Sequence, residues 1–127
     1  MFSHIMIGSN DLDRSRTFYD ALSAATGGRP GTIDPRGRLV YARNGGRLML
    51  TTPINGEPAT SGNGTTIGFA IDDPDQAAAW HAAGLANGGT AIEDAPGRRE
   101  TPFGSLYLAY LRDPDGNKLC ALHRVAG

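Results

Sequence analysis

The feature that most constrains this chain is that it repeats itself. Displacing the sequence by 62 positions lays Ile5 on Ile67, Ile7 on Phe69, Asp11 on Asp73, Asp13 on Asp75, Phe18 on Trp80 and Ala21 on Ala83. Later in each half the displacement is 71. There Asn44-Gly45-Gly46-Arg47-Leu48-Met49-Leu50 falls on Asp115-Gly116-Asn117-Lys118-Leu119-Cys120-Ala121. A unit that recurs in register at both its ends is one supersecondary module used twice.

The periodicity gives the content of each module. In the first half, Phe2 to Gly8 alternates as a strand. Ser9-Asn10-Asp11 supplies helix caps, and Leu12, Ser15, Phe18, Tyr19 and Leu22 recur at helical spacing until Gly27-Gly28. Strands are expected at 31–34, 38–43 and 47–52, with Asn44-Gly45 as the hairpin turn between the last two. The second half repeats this order. It reads as a strand over 65–71, a helix opened by Asp72-Asp73-Pro74, and strands at 90–95, 106–112 and 117–124. Pro96 to Gly104 reads as a loop. The fold class expected is α+β: two tandem βαβββ modules (1–52 and 65–127, linker 53–64) in one domain. They form a curved mixed sheet around a cleft, with helices outside. The dozen polar residues of the linker are either solvated or drawn over a pocket.

The rest of the sequence excludes more than it assigns. A net charge of −1 over 127 residues gives no basic field for nucleic acid. No apolar run approaches bilayer length, and the N-terminus lacks the basic and apolar regions of a signal peptide. A single cysteine makes no intramolecular disulfide. A cytoplasmic domain is therefore expected.

Three stretches carry a resemblance to a known family. They are His4-Ile5-Met6-Ile7 with Asn10-Asp11-Leu12-Asp13-Arg14-Ser15 and Phe18-Tyr19, then Ile67-Gly68-Phe69-Ala70-Ile71-Asp72-Asp73, then Asp113-Pro114-Asp115-Gly116-Asn117. In this order and spacing they are similar to the vicinal oxygen chelate superfamily, the glyoxalase, bleomycin-resistance and extradiol dioxygenase group. The resemblance spans essentially the whole chain. It implies a small-molecule cleft, a homodimer and, in the metal-dependent members, one divalent ion such as zinc. That ion is held by His, Gln or Glu side chains from the first and last strands of each module. Carried over by position, those places are His4, Met49, Thr66 and Cys120. His4 keeps the family's residue type; Met49, Thr66 and Cys120 depart from it. His4 and Cys120 are thus the candidate metal ligands and the candidate catalytic pair, the alternative being no metal at all.

Strand alternation adds Met6, Tyr41, Met49, Thr66, Tyr107 and Leu122 as candidate ligand-binding residues. For the two tyrosines the alternative is packing within the sheet. Cys120 has three readings: a small apolar filler, a pocket thiol, or a nucleophile paired with His4. Two functions follow. One is a lyase- or dioxygenase-like enzyme with an altered metal site and little or no turnover of the methylglyoxal–glutathione hemithioacetal. The other is a metal-free binding or sequestering protein.

Overall fold

The computed structural model describes residues 1–125. The first half forms β1 (Ile5–Gly8), α1 (Leu12–Ala25), β2 (Thr32–Ile33), β3 (Leu39–Arg43) and β4 (Gly46–Thr51). The second forms β5 (Thr66–Ala70), α2 (Pro74–Ala86), β6 (Thr90–Ala91), β7 (Gly97–Thr101), β8 (Gly104–Arg112) and β9 (Lys118–Arg124). Each half makes its own mixed sheet. One has the order β1-β4-β3-β2; the other has β5-β9-β8-β6, with β7 also on β8.

The sequence repeat is a repeat of register. β1 runs parallel to β4 with Ile5 opposite Leu48 and Met6 opposite Met49. β5 runs parallel to β9 with Ile67 opposite Leu119 and Gly68 opposite Cys120. The second set is the first displaced by 62 on one strand and 71 on the other. Since a one-residue slip would turn every side chain over, this fixes the same alternation in both halves. Ile5, Ile7, Leu48 and Leu50 join the core with Ile67, Phe69, Leu119 and Ala121. Met49 and Cys120 alternate with them and point to the opposite face, away from the helices.

The helices start alike. Asp11 caps α1 by accepting from the Arg14 amide, and Asp73 caps α2 by accepting from the Gln76 amide, each at 3.0 Å. Phe18 and Trp80, which the repeat superimposes, are both sealed in the core. Where the helices meet, Leu22 of α1 faces Gly84 of α2, its repeat partner. A Cβ on Gly84 would sit 3.3 Å from Leu22 and 2.3 Å from Leu111. The glycine thus sets how closely the halves approach.

Two local readings of the sequence are corrected. Residues 97–101 form β7, a hairpin arm on β8 with Arg98 opposite Tyr107. This arm is Gly-Arg-Arg-Glu-Thr, held by backbone pairing, so no apolar alternation announces it. The first strand begins at Ile5, so His4 precedes it.

Candidate functional site on the helix-free face

β1 and β5 are the facing edge strands of the two sheets, with no backbone ladder between them. Beside them lies a cavity of about 220 Å³, lined by Met6, Gly8, Thr60, Gly62, Thr65 and Lys118 among others. The linker contributes its wall because Asn10 clamps it. The Asn10 side chain donates to the Ala59 carbonyl at 3.1 Å and accepts from the Ala59 amide at 2.7 Å. A Cβ on Gly8 would lie 2.8 Å from that of Ala59, so the strand is bare where the loop crosses it.

On the same side of the second sheet, pleating aligns Thr66, Gly68 and Ala70 of β5 with Lys118, Cys120 and Leu122 of β9, and Tyr110 of β8 stands opposite Cys120. A Cβ added to Gly68 would meet no atom within 4 Å, so the face is open there. Cys120 itself is only 6% exposed. Burial pushes its thiol up, and the neighbouring Tyr110 hydroxyl offsets part of that. Tyr110 is pushed up too, first by burial and then by Cys120. The Lys118 ammonium lies 5.1 Å from the centre of the Tyr110 ring and pairs with Glu93. Glu93 holds a left-handed backbone at φ 57°, costly for a residue with a side chain.

The residues expected from the sequence separate into two groups. Met6, Met49, Thr66, Cys120 and Leu122 share the helix-free side of their sheets by alternation. His4 lies exposed ahead of β1, with its Nδ1 2.8 Å from the Ser3 hydroxyl. Tyr41 and Tyr107 are on the other side, against the core. Tyr41 donates to Asp20 at 2.6 Å, and burial raises its pKa ahead of the contribution of that bond. Tyr107 pairs with His123, whose parity is that of the core residues Leu119 and Ala121. Tyr110, Lys118 and Glu93 were missed. Counting back across the turn from Cys120 would have found Tyr110, and alternation would have found Lys118; nothing in the sequence marks Glu93.

The donors do not fit a divalent ion. Among the described residues no three His, Cys, Asp or Glu side chains are grouped as a metal would need. Of the four places the family uses, Met49 is a buried thioether, Thr66 a hydroxyl, and Cys120 a thiol whose environment opposes the thiolate that zinc requires.

A two-half α+β protein with an open helix-free face, a linker wall and the Asp113–Asn117 turn between β8 and β9 belongs to a definite class. The family model for the Glyoxalase/Bleomycin resistance protein/Dioxygenase superfamily matches residues 1–121, and the chain belongs to that superfamily. Among solved structures, a glyoxalase/bleomycin resistance protein from Albidiferax ferrireducens T118 is 58% identical. It matches over 97% of this chain and 98% of its own, with a TM-score of 0.93. A family enzyme from Burkholderia phytofirmans PsJN shares the fold at 19% identity and a TM-score of 0.72, over 97% of this chain and 98% of its own. A lactoylglutathione lyase from Agrobacterium tumefaciens does so at 20% and 0.64, over 96% and 92%. No curated protein matches the chain. No helix among the described residues is long and apolar enough to cross a membrane.

Proposed function

We propose that this protein binds a small organic molecule on its helix-free face without a metal. The observation that carries this reading is the state of the two buried family positions. Met49 and Cys120 are 8% and 6% exposed and present sulfur in neutral form, beside an open strip at Gly68. Such a surface suits apolar contact, with the Tyr110 hydroxyl and the Lys118–Glu93 pair giving orientation. Burial pushes the Cys120 thiol up, which disfavours the thiolate that attack on an electrophile uses. The cytoplasmic location and the homodimer expected from the sequence belong to the same proposal; sedimentation equilibrium tests the dimer.

A fragment screen followed by amide chemical shifts tests the binding. Hits should perturb Cys120, Tyr110 and Gly68 and keep their affinity in EDTA. Gly68→Met, which installs the residue of the repeat partner Met6, should abolish them while the protein stays folded. Stoichiometric zinc, nickel or iron in the purified protein, lost in Cys120→Ala, would overturn the reading. Brisk metal-dependent turnover of the hemithioacetal would do the same.

A further inference from the structure

The seam between the halves has a second opening on the helix side, where Tyr41 and the β3–β4 turn lie. It is a cavity of about 370 Å³ lined from both halves. Ligand pockets begin at roughly 300 Å³, so this opening is large enough for a small ring compound. Four aromatic rings stand at or behind its wall. Tyr19 and Tyr41 lie 6.1 Å apart between centroids at 48°, and Phe69 and Trp80 lie 6.3 Å apart at 47°. Both pairs are tilted and neither fills the space between the halves.

The charge on the lining is one-sided. Arg43 lines the cavity with its side chain and no carboxylate lines it; Arg47 borders it too, but lies opposite Ala42 and two residues before Met49, so its side chain is on the helix-free face. Arg43 is held in place from behind, its Nη1 donating to the Thr26 carbonyl at 2.5 Å and to the Thr26 hydroxyl at 3.2 Å. Its Nη2 is 3.6 Å from Asp72, whose own side chain is 69% exposed and outside the lining. A guanidinium fixed on one edge and loosely paired on the other retains donors for a bidentate anion.

We propose that this cavity is a binding site for an arylalkyl carboxylate, its ring against Tyr41 and Phe69 and its carboxylate at Arg43. The site is separate from the helix-free face and does not depend on the function proposed there. Apolar burial supplies the affinity and Arg43 selects the charge.

Trp80 is the only tryptophan in the chain and is buried behind the cavity wall, 6.3 Å from the Phe69 ring, so its emission reports occupancy through Phe69. The test titrates 4-phenylbutyrate against the neutral 4-phenylbutan-1-ol and the cationic 4-phenylbutylamine. The carboxylate should give a saturable change in Trp80 emission and bind roughly fivefold more tightly than the alcohol. Amide shifts should map to Tyr41–Leu48, Phe69 and Ile71. In an Arg43→Gln variant the carboxylate should fall to the affinity of the alcohol, which itself should not move. Asp72→Asn leaves the Thr26 bonds of Arg43 in place and should raise the preference, so the prediction survives if Arg43→Gln does not fold. Equal binding of all three probes, no response of Trp80, or shifts confined to Cys120 and Tyr110 would overturn the proposal. So would emission that follows protein dilution and ignores the probe, which would mean that a second copy of the chain fills the cavity.

Discussion

The Asp113–Asn117 hairpin and its repeat partner at Asn44–Gly45 join equivalent strands, yet only the first holds the other half through buried carboxylates. Asp113 is buried, and its carboxylate accepts from the Tyr19 hydroxyl at 2.6 Å, the Asp115 and Asn117 amides, and the Asn117 side chain. Asp115, 1% exposed, accepts from Arg14 at 2.7 Å and from the Asn10 amide at 3.1 Å, beside the start of α1. The partner turn is minimal. Asn44 and Gly45 take φ 51° and 83°, the left-handed pair a two-residue hairpin needs, and Arg43 alone reaches the second half. One end of the seam is therefore sealed by buried polar bonds, and the other is left as a lined cavity. Duplication kept the apolar register in both halves, while the polar contacts between them are one-sided.

The largest expected effect comes from breaking the sealed end at its centre. Asp113→Ala strands four donors, three of them in the turn itself, and should cost about 3 kcal/mol in urea-induced unfolding. An equal loss from Asn44→Ala would erase the contrast between the ends, since that change alters only a turn preference.

Tyr19→Phe removes one of those donors and should cost about 1–2 kcal/mol. It also separates two pH effects at one repeat position, where Tyr19 corresponds to His81. Burial, then Asp113, hold the Tyr19 pKa well above its ordinary value. A raised folded pKa means stability that is full below the unfolded pKa near 10 and lost as pH climbs past it. Burial lowers the His81 pKa below 6.5. Its contribution is full above 6.5 and lost as pH falls. Stability measured against pH should thus lose part of its alkaline slope in Tyr19→Phe and part of its acid slope in His81→Gln. A slope that does not change in either variant would sever that residue from the effect.

Asp115→Ala should cost about 1–2 kcal/mol, because a buried carboxylate loses an amide and a guanidinium together. Arg14 is 44% exposed, so part of the cost should disappear in high salt. Loss that is independent of salt would assign the effect to the Asn10 amide and the Ser15 hydroxyl, the uncharged donors to Asp115.

The sequence was most legible where periodicity carries the information. Ile5 with Leu48 and Ile67 with Leu119 follow from one displaced pattern, and the Asp113-Pro114-Asp115-Gly116 turn closes as its residues dictate. Gly116 takes φ 91°, and its amide donates to the Asp113 carbonyl at 2.9 Å. The site was less legible because parity depends on where a ladder starts. Tyr107 and Tyr110 differ by three residues and so stand on opposite faces, and only the register across the turn says which joins Cys120. Bonds such as Asp115 to Arg14 join residues about a hundred positions apart and leave no periodic trace. The strand 97–101 carries charge where the other strands carry apolar side chains, so it resembled the loops around it.

The smallest effect belongs to the open end. Arg43 and Asp72 are 3.6 Å apart and 41% and 69% exposed, so water and salt screen most of their attraction. Asp72→Asn should change stability by no more than about 0.5 kcal/mol. It should nevertheless strengthen binding of 4-phenylbutyrate, because Arg43 then has no carboxylate competing for its free edge. The alcohol should bind the variant and the parent alike. This separates a weak structural contact from a local charge effect: a stability loss near that of Asp115→Ala would make Arg43–Asp72 a second lock, and the two ends would no longer differ in kind.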